Sequence, residues 1–150
     1  MQAIYAIDSK KGLSKNGIIP WKSKKDMQFF ANKTKNNTVV MGRNTYFSLP
    51  QRPLKNRKNV VLTNEPYLYS EPDVLFTNLY EKDEKDEKIF FIGGKTIYEQ
   101  FIPLCEKVWV TEIKGDYDCD LIMDYDFTRF SSRIHMEDEE LKITEYFNFL

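Results

Sequence analysis

Histidine is nearly missing from this chain: His135 is the only one, and cysteine is limited to Cys105 and Cys119. A single imidazole leaves serine or cysteine hydrolase triads and histidine-based metal sites almost without material, so no metal is expected. The two cysteines are too far apart for a Cys-x-x-Cys zinc or redox pair, and secreted domains usually carry more; both are expected to be reduced thiols. Long apolar runs are lacking too. Stretches such as Ile89-Phe90-Phe91-Ile92 span a few residues, where a membrane-crossing helix needs about 20, so no membrane association is expected. Neither sign of charge dominates, with 22 Lys and Arg against 23 Asp and Glu. That balance removes the main electrostatic argument for a nucleic-acid partner, and any anion must be bound locally. No G-x-G-x-x-G and no Walker sequence occurs, so the two common nucleotide fingerprints fail. The segment Met1 to Asp8 has no charged leader and its apolar run stops at Asp8, unlike a signal peptide, and a cytoplasmic location is expected. In that setting the acceptor patterns Asn32-Lys33-Thr34 and Asn36-Asn37-Thr38 carry no meaning.

What is present is the composition of a globular domain. With 150 residues, 41% hydrophobic and 30% charged, the chain can bury about 70% of its unfolded surface around one core. Without a repeat or a linker, a single domain over 1–150 is expected. Extended, β-branched segments predict strands at 2–8, 38–41, 58–63, 73–76, 88–92, 107–113 and 141–149. Helices are predicted over 24–33, where Met27, Phe30 and Ala31 form an i, i+3, i+4 stripe, after Gly42, and from Gly94 with Ile97 and Phe101 on one face and Pro103 as its stop. The tail, 129–136 and 141–149 around Glu137-Asp138-Glu139-Glu140, reads as a hairpin whose turn is solvated charge. The fold class expected is α/β: a mixed, mostly parallel central sheet flanked by helices, with a C-terminal antiparallel hairpin. The mixed-charge run at 81–88 reads as an exposed helix or loop.

Two glycine-bearing strand-to-helix junctions could carry chemistry: Val39-Val40-Met41-Gly42-Arg43-Asn44-Thr45 and Ile92-Gly93-Gly94-Lys95-Thr96. Each is either a tight turn or an anion site, since a helix start offers unpaired N–H groups and glycine lets a phosphate approach the backbone. Arg43 adds a planar cationic fork suited to a phosphate monoester, with Thr45, Thr63 and Asn64 as polar partners. Asp26 follows the loop Asn16-Gly17-Ile18-Ile19-Pro20-Trp21 at the start of the first helix. Aspartate in a first turn is ordinarily a solvated, dipole-stabilising group. Here Met27, Phe29 and Phe30 come next, so a helix laid into a cleft would put Asp26 at the cleft's edge, where burial raises its pKa and suits it to pair with a donor edge of a heterocycle. Arg52 and Arg57 around Pro53-Leu54 are either solvated loop charge or a clamp for a substrate carboxylate.

In order along the chain, Ala6, Gly12-Leu13-Ser14-Lys15-Asn16-Gly17, Pro20-Trp21, Asp26, Phe30, Thr34, Met41-Gly42-Arg43-Asn44-Thr45, Ser48-Leu49-Pro50, Arg52-Pro53-Leu54, Arg57, Ile92-Gly93-Gly94, Tyr98, Thr111 and Asp120 resemble the dihydrofolate reductase family over nearly the whole chain. The resemblance implies NADPH-dependent reduction of 7,8-dihydrofolate to tetrahydrofolate, by hydride transfer from nicotinamide with protonation of the adjacent ring nitrogen. It implies Asp26, Trp21 and Thr111 as the catalytic group. The substrate would be bound by Ile4, Tyr5, Ala6, Met27, Phe30, Leu49, Leu54, Arg57 and Ile92. Within that set Ile4 and Ile92 would offer main-chain carbonyls, and Arg57 would hold the glutamate α-carboxylate. NADPH would be bound by Ala6, Leu13, Ser14, Gly17 and Ile18, by Gly42, Arg43, Asn44 and Thr45, by Leu62, Thr63 and Asn64, and by Ile92, Gly93, Gly94, Lys95, Thr96, Ile97 and Tyr98. The Gly93-Gly94 bond would be the family's non-proline cis peptide, and a monomer is expected. Departures from the family pattern are Leu13-Ser14 for Ile-Gly, Lys95-Thr96 after the paired glycines, and Leu121-Ile122-Met123-Asp124 for Phe-Pro after Asp120. A pyrimidine reductase of riboflavin synthesis shares fold and NADPH but not the Trp21, Asp26 and Arg57 set, and a non-catalytic pterin-binding protein would have no use for Asp26, Trp21 and Thr111.

Overall fold

The computed structural model describes residues 1–80 and 88–149; most of the charged run at 81–88 lies outside them. Ten strands and three α-helices follow one another as β1 (Gln2–Asp8), β2 (Gly12–Ser14), α1 (Lys24–Thr34), β3 (Thr38–Gly42), α2 (Arg43–Ser48), β4 (Lys58–Leu62), β5 (Val74–Thr77), β6 (Ile89–Phe91), α3 (Lys95–Phe101), β7 (Lys107–Ile113), β8 (Leu121–Ile122), β9 (Ser131–Glu137) and β10 (Leu141–Phe147). Eight of the strands form one sheet in the order β5-β4-β3-β6-β1-β7-β10-β9. The pairs from β5 through β7 are all parallel, and β10 runs antiparallel to both β7 and β9. The expected fold class is therefore the observed one. No helix among the described residues is long and apolar enough to cross a membrane.

Alternation along each central strand builds two cores. Ala3, Tyr5 and Ile7 of β1, with Ile89 and Phe91 of β6 and Val108 and Val110 of β7, pack on the side of α3 through Ile97, Tyr98 and Ile102. Ile4 of β1, Phe90 of β6 and Trp109 of β7 face the other way, with Phe29 and Phe30 of α1 and Tyr46 of α2. Because helices cover both faces, these strands read as nearly continuous apolar runs.

Helix α1 differs from the expected stripe. Met27 is 68% exposed and Ala31 is also exposed, whereas Asp26, Phe29, Phe30, Lys33 and Thr34 turn inward. The inward set also has helical spacing, and it wins because Phe29 packs edge-on to Trp109 at 5.7 Å while the Lys33 ammonium lies 3.9 Å from the Trp109 ring centre. As expected at Pro103, α3 ends, its last α-helical residue being Phe101, and the proline sits in a following 3-10 turn, Ile102–Leu104. The acidic turn is largely exposed charge, as expected, but it also makes contacts: Asp138 pairs with Lys25 and Glu140 accepts a hydrogen bond from Ser23, so the hairpin docks on the start of α1.

A small second sheet pairs β2 with β8, uniting the loop before Trp21 with the segment after Asp120. Asn16 and Gly17 both have positive φ inside a turn closed by reciprocal bonds between Lys15 and Ile18, the two-residue hairpin that Asn-Gly favours. Asp8, 1% exposed, accepts the N–H groups of Lys10, Gly12 and Tyr117 at 2.9, 2.8 and 3.0 Å. Burial alone would raise its pKa, but those donors hold it below the ordinary value.

Gly12 has no room for a side chain: a Cβ there would lie 2.4 Å from Cys119 Cβ and 2.9 Å from Asp8 Oδ1. Gly12→Ala is expected to cost about 1–3 kcal/mol, read as a lower urea midpoint at an unchanged m-value.

Candidate active site

Since β3 and β6 are neighbours, the two glycine junctions lie side by side. Gly42 N–H donates to Gly93 O at 2.8 Å, and the Gly93-Gly94 peptide is cis as the resemblance implied. Gly93 has φ +133°, and a Cβ on it would lie 3.3 Å from Thr45 Oγ1 and 3.5 Å from the Tyr98 hydroxyl; one on Gly94 would lie 3.4 Å from the same Thr45 oxygen. A side chain on either glycine would fill the space between the junctions. Neither Gly42 nor Gly94 caps its helix with a side chain, which leaves early N–H groups of α2 and α3 for other acceptors. Such a backbone cradle fits the phosphates and nicotinamide of a dinucleotide.

Asp26 stands where α1 begins. Ser23 Oγ accepts the Asp26 N–H at 3.1 Å and starts the helix. The aspartate is half-buried, and this burial lifts its carboxyl from the usual 3.8 to about 6. Thr111 and Trp21 oppose the rise as donors toward the carboxylate, and the charge of Glu140 adds to it. Thr111 is 1% exposed on β7, opposite Ala6 of β1, the one half-buried position of that strand. Trp21 is 5% exposed, packs edge-on to Tyr117 at 5.6 Å, and its Nε1–H completes no hydrogen bond of normal geometry within the protein. A buried donor in this state belongs to a site that accepts from it.

The Tyr98 hydroxyl connects the two centres. It donates to Ile4 O at 2.9 Å beside Gly93, and its ring lies 4.9 Å from that of Tyr5. Burial, Tyr5 and Asp26 together hold Tyr98 well above the normal phenol value, so it remains a neutral donor. Ile4 and Ile92 come one step beyond the paired Ala3 and Phe91, on adjacent strands.

On the far side of α1, Arg57 donates through Nη1 to Thr34 Oγ1 at 3.0 Å and through Nε to Lys55 O at 2.9 Å, with its guanidinium 5.9 Å from the Phe30 ring centre. Thr34 is fully buried, and its hydroxyl donates to Phe30 O at 2.8 Å. Asn59, missed by sequence reasoning, is 1% exposed; it donates to Leu54 O and Arg57 O at 2.9 and 3.1 Å and accepts Leu54 N–H at 3.0 Å. One buried amide thus fixes the loop that carries both Leu54 and Arg57. Its only signal was an asparagine inside the apolar run of β4.

The remaining expected residues surround these centres. Phe30, Leu49 and Leu54 are half-buried, while Met27 lies one helix position round from the inward face. Leu13 and Ser14 form β2, and Gly17 and Ile18 the exposed hairpin tip. Leu62 ends β4 opposite Gly42, and Thr63 and Asn64 follow it, with Thr63 Oγ1 accepting Glu65 N–H at 3.2 Å. Arg43 and Asn44 open α2, and Arg43 Nη1 donates to the Tyr69 hydroxyl at 3.3 Å. Lys95, Thr96 and Ile97 form the first turn of α3.

A parallel sheet whose carboxyl ends carry a glycine cradle beside a half-buried acid defines an α/β oxidoreductase that works on a bound dinucleotide. The model of the family described as dihydrofolate reductase matches residues 1–149, and the chain belongs to that family. Dihydrofolate reductase of Ureaplasma parvum is 37% identical over 134 residues, 87% of this chain and 86% of that one. The enzyme of Mycoplasma pneumoniae is 29% identical over 156 residues, 97% and 96% of the two chains. Among solved structures, dihydrofolate reductase from Enterococcus faecalis, complexed with NADP(H) and RAB-propyl, superposes with a TM-score of 0.80 at 29% identity, covering 97% of this chain and 94% of that one. The activity is the NADPH-dependent reduction of dihydrofolate to tetrahydrofolate.

The raised pKa of Asp26 carries a stability consequence. The folded chain keeps its proton up to about pH 6, the unfolded chain only to about 3.8. Ionising the buried group therefore costs folding free energy that appears as pH rises through this interval and persists above it. Asp26→Asn is expected to melt at a higher temperature than the parent chain at neutral pH, with the difference vanishing near pH ~4; thermal melts across that range check it.

Proposed function

We propose that the dihydropterin ring lies between the start of α1 and the ends of β1, β6 and β7, with the Asp26 carboxylate accepting from its donor edge. The observation that carries this reading is the half-buried carboxyl held between Thr111 and Trp21. Thr111 and the indole N–H of Trp21, as donors toward it, fix its orientation. Carbonyls of Ile4 and Ile92 take the pterin amino group, and Tyr5 and Ala6 line its floor. Met27, Phe30, Leu49 and Leu54 wall the aromatic linker, and Arg57, aimed by Thr34, holds the glutamate carboxylate.

When bound, NADPH supplies the hydride. Gly42, Gly93, Gly94, Thr45 and the first turn of α3, Lys95 to Tyr98, cradle its backbone, while Ala6, Leu13, Ser14, Gly17 and Ile18 cover the nicotinamide end. Leu62 and Asn44 border the adenosine, and Arg43, Thr45, Thr63 and Asn64 hold the 2′-phosphate, a dianion suited to the guanidinium fork. The protein's share of the chemistry is to exclude water and to keep a proton near the imine nitrogen, which a carboxyl of pKa about 6 does at neutral pH better than an exposed one. The near balance of charge supports work on small molecules without a nucleic-acid partner, and a single-domain monomer in the cytoplasm completes the proposed reading.

Mixing the protein with NADPH and dihydrofolate and following nicotinamide absorbance tests the assignment. Asp26→Asn is expected to reduce turnover at neutral pH by on the order of 100-fold or more while NADPH binding is retained; equal turnover removes the role. Arg57→Lys is expected to raise KM for dihydrofolate far more than it lowers kcat, since the clamp is mostly uniform binding. Thr34→Val is expected to shift the same constant in the same direction by less.

A further inference from the structure

The connection from β4 to β5 leans on the helix that begins with Arg43. It leaves the sheet at Thr63, whose N–H donates to Thr77 O at 3.0 Å where the chain returns, and it turns through a 3-10 segment, Pro66–Leu68. Tyr69 follows, and its N–H donates to Pro66 O at 3.2 Å. Its half-buried ring stacks on Phe76 of β5, with centroids 5.2 Å apart and 22° between planes, and tilts against Phe47 of α2 at 5.5 Å. A second tie runs alongside: the fully buried Tyr46 packs edge-on to Phe76 at 5.8 Å and donates its hydroxyl to Glu71 at 2.6 Å. The Tyr69 ring is thus held between β5 and α2, and there its hydroxyl accepts Arg43 Nη1–H at 3.3 Å.

Arg43 is exposed, and among the described residues this is its one hydrogen bond and no carboxylate pairs with it. Glu71 of the same connection is taken by Tyr46, and Arg52, the other guanidinium over this helix, donates to Phe47 O at 3.1 Å. A free arginine loses much rotamer freedom when it grips a ligand, and fixing one nitrogen beforehand removes part of that cost. An acid would fix it too, but would cancel the charge that a phosphate dianion needs; a neutral phenol tethers without cancelling. Nε and Nη2 stay available for a two-pronged grip. Gly42 pairs with Leu62 across β3 and β4, so Arg43 and Thr63 stand at adjacent strand ends, and Thr63 Oγ1, accepting Glu65 N–H, keeps its own proton to donate. We propose that Tyr69 is a positioning residue for cofactor choice, its hydroxyl holding the Arg43 fork, with its charge intact, where the 2′-phosphate of NADPH is gripped and so favouring NADPH over NADH. This rests on the assignment of Arg43 and Thr63 to that phosphate.

The test is calorimetric titration of the folded chain with NADPH and with NADH, for the parent, Tyr69→Phe, Arg43→Ala and the double variant. Tyr69→Phe keeps the stacked ring and removes only the oxygen that holds Arg43. Its NADPH affinity is expected to fall by about 5-fold, within the range of a single hydrogen bond, while its NADH affinity stays that of the parent. Arg43→Ala is expected to lower NADPH affinity by more, and adding Tyr69→Phe to it is expected to change nothing further, because the two side chains act as one unit. Unchanged NADPH affinity in Tyr69→Phe, an equal loss of NADH affinity, or a full additional loss in the double variant would each overturn the proposal; the equal loss would mark Tyr69 as a brace for the connection alone. Failure of the underlying assignment looks different: Arg43→Ala would then keep the parent's ratio of NADPH to NADH affinity, which removes the phosphate site and the role of Tyr69 together.

Discussion

Holding a carboxyl group partly out of water is unfavourable in any fold, and the arrangement at Asp26 exists to make it tolerable. Ser23 caps the helix that carries it, Thr111 and Trp21 supply donors, and the surrounding apolar side chains lift its pKa to about 6. Without that burial the group would be an ordinary surface aspartate at a helix start, ionised throughout the neutral range. In the proposed reading its position fixes where the other parts must stand, because a proton-bearing carboxyl is useful only within reach of the bond being reduced.

Strand order brings those parts within reach. Inserting β6 between β3 and β1 sets the Gly93-Gly94 peptide beside Gly42 and one strand away from Ile4. The Tyr98 hydroxyl then spans from the glycine junction to the Ile4 carbonyl, so the two sides that the proposed reading gives to cofactor and substrate share one hydrogen-bonded link. The same economy appears around α1, whose first turn presents Asp26 and whose last turn, through Thr34, aims Arg57. A single eleven-residue helix serves both ends of an elongated substrate in the proposed reading.

The strands and the alternating two-faced core were legible because buried parallel strands write themselves as β-branched runs. The inward face of α1 was not. Met27, Phe30 and Ala31 satisfy helical spacing as well as Phe29, Phe30, Lys33 and Thr34 do, and only the presence of Trp109 on β7 decides between them. Lys33 joins the inward set because its ammonium rests on that indole, a partner no local pattern announces. The pairing of β2 with β8 was hidden for a similar reason: three residues and two residues are too short to show a period, and each becomes a strand only against the other.

Sequence alone determined the family, the fold class and the paired glycines, and pointed to Asp26 as the candidate acid, since these depend on residue types in a fixed order along the chain. Tertiary structure decided what surrounds them. That Asn59 steadies Arg57, that Tyr98 reaches Ile4, and that an acidic hairpin turn closes on Ser23 beside Asp26 are contacts between segments distant in sequence. Each depends on strand register and helix rotation, which are set by the packing of the whole sheet, and a side chain's protonation and aim follow from those neighbours.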